Sequence, residues 1–469
     1  MKITWINPTP IVGADDNRTS RRICVRLRSM LPGDELRRRG HDVEQMSVKE
    51  LLERVRDPLF LRRDVFVFGK AFGDLSPFIR LIRASGEARV LVDICDNVFV
   101  PPEDGLKSVY LAMIPLADGI VASSEFLAAE LQNKIMSGTK LFSVSDVVEG
   151  TRFDPEFAPR SGSIKLLWFG YPNNLPSLQN ELKNLKDLTT VADVSLTIVT
   201  DMAAVADGSM ILHTDMIDGI RTRYCQWSPE TMQSELKACD IVIIPSDCGP
   251  AQITKSANRV ISAIWAGKFV AAHPLPSYLA FQPFAHIGRD LVSGVRWALE
   301  NQDAARERIA SGQKYIQENF TINKIADDWD RVFEFIMNSH PSFSRVGDAS
   351  STGFAEVAGS MTETHENLRK FKETVDTCRK ALKLDPENVQ LLLKIGDAYA
   401  DNDKIENSLP FYHRALNIDP HSAYAHMRLG YALRKQGKTD EAKGYFQRAV
   451  ELDPDMANHC LLQIAVESS

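Results

Sequence analysis

Lys255, Asn258 and Arg259 bring an ammonium, an amide and a guanidinium to one short stretch, K-S-A-N-R, of a 469-residue chain. The stretch lies between two apolar runs, Ile241 to Ile244 and Phe269 to Ala272, that read as short buried strands. Val260, Ile261, Ile264 and Trp265 share one helical face. Ser256 stands where an N-cap is expected, and Gly267 where a left-handed residue would end the helix. Donors gathered at a helix N-terminus, just after a strand, suit an anionic ligand such as a diphosphate. The helix dipole disfavours cations at that end, and a solvated first turn with chance charges would read the same.

Other residues have chemistry to offer. In D-I-C-D-N-V-F (93–99), Asp93 and Asp96 fall at the carboxyl end of an expected strand. A catalytic base or acceptor contact belongs there, although Asp96 and Asn97 are also ordinary turn formers. Gly13 could let backbone N–H groups approach a phosphate, or simply make a turn. Arg21, Arg22 and Arg26 lie on one expected helix that either faces a cleft or is solvated. Gly170, Tyr171, Asn173 and Asn174 follow another strand and could touch a sugar or nucleotide, as could any polar loop. His273, between a buried strand and Pro274, reads as a satisfied core or turn histidine, and Glu125 as a first-turn helix residue.

These residues need a frame. Short apolar runs at 3–6, 64–68, 90–94, 119–122 and 140–144 alternate with helical spacers. The spacers include a helix from about Arg21 and one over 77–84, and Ser123 or Ser124 is expected to cap a third. A Pro-, Gly- and Ser-rich break at 152–163 precedes a second round of alternation. That round has strands at 164–170 and 194–200, helices near 177–188 and 229–238, and a closing amphipathic helix over 321–337. Parallel pairing follows, giving two doubly wound α/β domains with a cleft between them. The divisions expected are an N-terminal domain over 1–155, a second domain over 156–340, a flexible linker over 341–362 and a repeat region over 363–469.

The repeat region carries the most regular signal. A-L-K-L-D-P, A-L-N-I-D-P and A-V-E-L-D-P begin at residues 381, 415 and 449, a spacing of 34. That is the tetratricopeptide (TPR) period. Gly396 and Gly430 allow close helix contact, and Tyr412 and Phe446 are the large residues at matching places. Two full repeats, a preceding half and a terminal helix over 455–466 are expected.

The net charge of -7 and pI of about 5.9 argue against a broad nucleic-acid footprint. Arg37, Arg38 and Arg39 before Gly40 read as a solvated helix end. Seven scattered cysteines without a C-x-x-C pair fit reduced thiols in the cytoplasm better than disulfides or zinc. No apolar run approaches the roughly 18 residues of a membrane span, and peripheral membrane contact stays open. No convincing D-x-D metal motif falls in the α/β part, so neither metal nor cofactor is expected there.

Residues 1–338 resemble the GT-B glycosyltransferases of the retaining, group 1 (family 4-like) type. The likeness rests on S-R-R-I-C-V-R-L-R-S-M-L-P-G-D-E-L-R-R-R-G-H-D-V (20–43), A-D-G-I-V-A-S-S-E-F-L-A (117–128) and L-L-W-F-G-Y-P-N-N (166–174). It rests also on K-S-A-N-R-V-I-S-A-I-W-A-G-K-F-V-A-A-H-P-L-P-S-Y (255–278). The resemblance implies a nucleotide-sugar donor as substrate on the second domain, an acceptor on the first, and cleft closure during transfer. It places Lys255, Ser256, Asn258, Arg259 and Gly170 at the donor; the residues' own types and positions add Asn173 there, Gly13 and Arg22 toward the acceptor or a phosphate, and Asp96 as the catalytic candidate. The family often carries two Glu residues eight apart, where this chain has Thr254 and Ser262.

A glycosyltransferase with a repeat domain for a protein partner or acceptor is therefore expected. A degenerate GT-B and TPR scaffold is the alternative, which the missing carboxylates favour and the K-S-A-N-R cluster opposes. A nucleotide-sugar epimerase would share the fold but not explain the repeats.

Overall fold

A computed structural model describes residues 1–339 and 374–453. Excepted within these are 10, 14–19, 21, 56, 58, 86, 87, 101–105, 133, 136–138, 158, 160, 161, 203–215, 218, 250, 380, 383, 384, 402 and 403. The expected linker over 341–362 and terminal helix over 455–466 lie outside the described residues. The chain divides into two compact units, Met1–Ser350 and Ser351–Ser469.

The first unit holds two sheets. β1 (Lys2–Asn7), β2 (Asp42–Ser47), β3 (Val65–Phe68), β4 (Arg89–Ile94), β5 (Gly119–Ala122) and β6 (Lys140–Ser143) pair in parallel in the order β2-β1-β3-β4-β5-β6. Both faces of β3, β4 and β5 are buried, which is why these strands read as unbroken apolar runs and not as alternation. The strand order changes direction between β1 and β3. Ligands gather at such a switch point, outside the carboxyl ends of the strands.

The second sheet contains β7 (Ser163–Phe169), β8 (Asp193–Thr200), β9 (Met216–Ile217), β10 (Ile220–Gln226), β11 (Ile241–Ile244), β12 (Phe269–Ala272) and β13 (His286–Ile287). Its order is β13-β12-β11-β7-β8-β10-β9, all parallel except the short β9 edge. The switch point here lies between β7 and β11. Helix Leu175–Leu185 covers one face through Leu175, Leu178, Leu182 and Leu185, and helix Asn258–Trp265 covers the other through Val260, Ala263 and Ile264.

The closing helix, Ile322–Asn338, belongs by packing to the first sheet although it follows the second in sequence. Its Trp329, Phe333 and Ile336 are buried against Ile3, Trp5 and Leu91, with the Trp5 and Trp329 rings edge-on at 4.8 Å. Burying each such large side chain is worth roughly 1.5–3 kcal/mol. Arg39 fastens the same helix to the helical segment Leu31–Arg38, donating to Asp327 at 2.6 Å, to Asp330 at 3.1 Å and to the Asn323 carbonyl at 2.8 Å. The expected solvated helix end holds in that Arg38 and Arg39 are exposed, and is corrected in that all three arginines are bonded, Arg37 and Arg39 to carbonyls as well as carboxylates.

The second unit is all-helical among its described residues. Val389–Asp401 pairs with Ile405–Ile418, and Ala423–Lys435 with Thr439–Leu452. Gly396 and Gly430 are required by contact: a Cβ there would lie 2.5 Å from the Tyr412 ring and 2.8 Å from the Phe446 ring. Tyr412, Ala415, Phe446 and Ala449 are all buried in one core. A helical segment at 374–379 precedes these repeats and supplies buried Val375 and Cys378 against Ile395.

Candidate functional site

At the switch point of the second sheet, β7 ends at Phe169 and Gly170 follows. A Cβ on Gly170 would lie 3.2 Å from the Trp168 ring and 3.6 Å from Arg259 Nη1, so the guanidinium rests against this glycine's backbone. Arg259 stands at the second position of helix Asn258–Trp265, the helix that carries the loop after β11 back onto the sheet. Its Nη1 is buried and meets no hydrogen-bond acceptor among the described residues. A buried donor left unpaired is costly, and more so when charged. That makes it the most conspicuous unmet demand at this end of the cleft.

The start of the helix differs from expectation. Ala257 is the N-cap, with no side-chain cap bond. Ser256 therefore lies one residue ahead of the cap, and its hydroxyl donates at 2.5 Å to Asp146 Oδ2, a carboxylate brought from just beyond β6. A hydrogen bond to a carboxylate is stronger than one to a neutral acceptor, so this contact fixes the Ser256 side chain. Lys255 lies ahead of the helix and not in its first turn, and its ammonium is paired with Asp96. Asn258 is half-buried at the first helical position. Asn173 is exposed on the turn Pro172–Asn174, and its neighbour Asn174 accepts at 3.3 Å from Gln252, tying the loops after β7 and β11 together. The two places where carboxylates are common hold Thr254, almost fully buried, and half-buried Ser262.

The first sheet answers with carboxylates. Asp96, just beyond β4, is shared between Lys70 at 2.5 Å and Lys255. Burial would raise its carboxyl, but the ammonium groups of Lys255 and Lys70 outweigh it and hold the group well below the usual range. Such a carboxylate is firmly ionised and therefore a weak general base near neutral pH. Behind it, the fully buried Arg28 donates to both oxygens of Asp93 at 2.6–2.9 Å, to the Val144 carbonyl at 2.8 Å and to Asp146 at 3.2 Å. Burial opposes the Arg28 charge, and the two carboxylates more than restore it. Arg26 grips Glu149 with two bonds, 2.7 and 3.0 Å, and lies 5.0 Å from the Trp227 ring of the second sheet. Thr254, Lys255 and Ser256 are thus three successive residues docked on the first half of the unit, the first through its carbonyl to Ser124.

Of the remaining candidates, Asp93 is tied up by Arg28 and does not reach the cleft as a base. Ser124 and not Ser123 caps the helix Glu125–Gln132, accepting from Leu127 N–H at 3.1 Å. Arg22 lies with its guanidinium 4.5 Å from the Phe72 ring centre. Gly13 has φ +91° and is exposed. Arg21 lies outside the described residues. His273 bonds through Nδ1 to Ser246, and its Nε2 lies 3.5 Å from the buried carboxylate of Glu181. Burial lowers its pKa, but Glu181 and the Ser246 carbonyl raise it overall. Sequence reasoning missed Lys70, Arg28, Asp146 and Glu149. For Lys70 a signal existed, since it follows the strand V-F-V-F after a single glycine.

Solved structures share this architecture. A glycosyltransferase from Rickettsia africae is 14% identical, with a TM-score of 0.52 over 72% of this chain and 99% of that one. HepE from Anabaena in complex with UDP and glucose is 10% identical, with a TM-score of 0.51 over 71% and 100%. At these identities the likeness is one of fold. Residues 389–422 and 423–456 each match the tetratricopeptide repeat family. The chain is a GT-B fold followed by tetratricopeptide repeats. No curated protein matches the sequence. Within the GT-B unit and repeats, no described helix is long and apolar enough to cross a membrane.

Proposed function

We propose that the GT-B unit transfers a sugar from a nucleotide-sugar donor to an acceptor, and that the TPR repeats hold a protein partner or the acceptor. The observation that carries this reading is Arg259: a guanidinium held against Gly170 at the switch point of the second sheet, with Nη1 buried and unmatched. A diphosphate placed there would meet Arg259, the uncapped N–H groups of the helix start and the Lys255 ammonium. HepE, similar in fold, was captured with UDP and glucose.

In this reading no metal ion is needed, because Lys255, Arg259 and the helix N-terminus stabilise charge on the leaving diphosphate. The bond from the sugar carbon to the donor phosphate oxygen breaks with its electron pair on the diphosphate, and the acceptor oxygen bonds to that carbon. Asp96, kept ionised by two lysines, positions Lys255 and is too weak a base to take the acceptor proton, so the departing phosphate oxygen receives it. Retention of anomeric configuration is part of the proposal. The six described cysteines are unpaired, which suits a reducing compartment such as the cytoplasm.

A scaffold that binds nucleotide without turnover is the second reading, favoured by Thr254 and Ser262 in place of carboxylates. Thermal shift with UDP-, GDP- and ADP-sugars tests binding, alongside the Lys255→Ala/Arg259→Ala double variant. If no nucleotide sugar stabilises the protein, the transferase reading fails, and if binding survives the double substitution the site is misplaced. Stabilisation with neither transfer nor donor hydrolysis would favour the scaffold.

A further inference from the structure

The switch point of the first sheet has its own unmet polar groups. The carboxyl ends of β1 and β3 frame a small cavity lined by Asn7, Cys24, Ser29, Gly69, Lys70 and Cys95. Asn7 and Ser29 are each about 98% buried, at 2% exposure. Asn7 Nδ2 and Ser29 Oγ find no hydrogen-bond partner among the described residues. Gly69 keeps the space open: a Cβ there would stand 3.2 Å from the Ile6 carbonyl and 3.7 Å from Asn7 Oδ1.

Arg28 and Asp93, bonded to each other, also line the cavity. Lys70 lines it too, with its ammonium 5.5 Å from the Phe72 ring centre, and Arg22, just outside the lining, has its guanidinium 4.5 Å from the same ring. Phe72 thus has both a lysine and an arginine against its ring at this end of the cleft. The carboxylates close at hand are already committed: Asp93 to Arg28, and Asp96 to Lys70 and Lys255. Arg22 makes no ion pair among the described residues. A sugar diphosphate brings two negative charges, which Lys255 and Arg259 would match while Asp96 keeps Lys70. The Arg22 charge is then left over on the acceptor side.

We propose that this end of the cleft is a subsite for an oxyanion, a phosphate or carboxylate group carried by the acceptor. Arg22 provides a planar fork for it. Asn7 Nδ2 and the Ser29 hydroxyl meet the oxygen that enters the cavity, which has room for about one such atom. Calling this anion the acceptor rests on the transferase reading; the subsite itself does not.

The test uses the full-length protein and three probes. Inorganic phosphate and glucuronate are titrated by calorimetry, and vesicles of phosphatidylglycerol in phosphatidylcholine by co-sedimentation. UDP is titrated separately. Each is repeated with Arg22→Ala, Arg22→Lys and Arg259→Ala, with melting curves to verify folding. At least one oxyanion probe is expected to bind, to weaken roughly tenfold or more in Arg22→Ala, and to be unaffected by Arg259→Ala. Arg22→Lys should fall between, keeping charge but losing the fork. Which probe responds separates a soluble phosphate or uronate from a lipid headgroup. Binding that is lost in Arg259→Ala and kept in Arg22→Ala would assign the anion to the donor end and overturn the proposal. So would failure of all three probes to bind, or a phosphate-soaked crystal with only water in the cavity. UDP failing to bind while an oxyanion responds to Arg22 would reject the donor reading and leave this subsite standing.

Discussion

The two ends of the cleft treat charge in opposite ways. At the first sheet, Arg28 is fully buried and bonded to both Asp93 and Asp146, so its charge is saturated. At the second sheet, Arg259 lies against Gly170, and its Nη1 has no acceptor among the described residues. A saturated ion cluster fixes structure, and an unsaturated one is poised for a ligand. The same residue type serves both purposes, and only the partners tell them apart.

Removing each arginine should therefore fail differently. Arg28→Met leaves Asp93 and Asp146 buried without their cation and should cost about 3–5 kcal/mol in denaturant unfolding. Adding Asp93→Leu should recover much of that loss, since an apolar pair can replace a buried ionic one. Should Arg28→Met unfold like the wild type, the contrast between the two ends collapses. Arg259→Ala should leave unfolding within about 1 kcal/mol, because it removes a donor that had no partner, while nucleotide-sugar affinity falls by about 1.5–3 kcal/mol. Calorimetry paired with denaturation on the same sample reads both quantities.

Gly170→Ala probes the same end more gently. The new methyl would press on the Trp168 ring at 3.2 Å and on Arg259 Nη1 at 3.6 Å. A severalfold loss of nucleotide-sugar affinity is expected, with destabilisation of about 1–3 kcal/mol at most. Unchanged affinity would separate Gly170 from the site.

The smallest expected effects concern pH, and they have opposite signs. Asp96 is held below its ordinary value of 3.8, so its contribution is present above that pH and is lost as pH falls through the lower folded value. His273 is raised above 6.5, so its pairing with Glu181 contributes fully below pH 6.5 and is lost as pH rises through the higher folded value. Asp96→Asn should flatten the acid limb of the stability profile. His273→Gln should flatten the neutral limb, by under about 1 kcal/mol since the histidine is only half-buried. Melting temperatures from pH 3 to 9 would show whether the two limbs respond separately.

Much of the frame was legible. Ile241–Ile244, Phe269–Ala272, Gly119–Ala122 and Pro229–Ala238 fall where composition and periodicity put them, since a strand buried on both faces needs an unbroken apolar run. Gly267 has the left-handed φ of +72° expected of a helix-ending residue. The site was legible only in part. Ser256 reads as a cap, but the helix starts one residue later and the Ser256 hydroxyl is bonded to Asp146, 110 residues away. Lys255 and Arg259 read as one cluster until the fold sends one to Asp96 and leaves the other against Gly170.

What the sequence determined by itself is whatever depends on neighbours along the chain: strand and helix runs, the 34-residue repeat with Gly396 and Gly430 at contact points, and the presence of cations at one helix start. What only the tertiary structure decided is who meets whom. The amphipathic face of Ile322–Asn338 announces burial but not its partner, which proves to be the first sheet and not the second. The same holds for charge, because local sequence sets where an ammonium or guanidinium is mounted, while Coulomb interaction acts through space and is satisfied by carboxylates folded in from a hundred residues away.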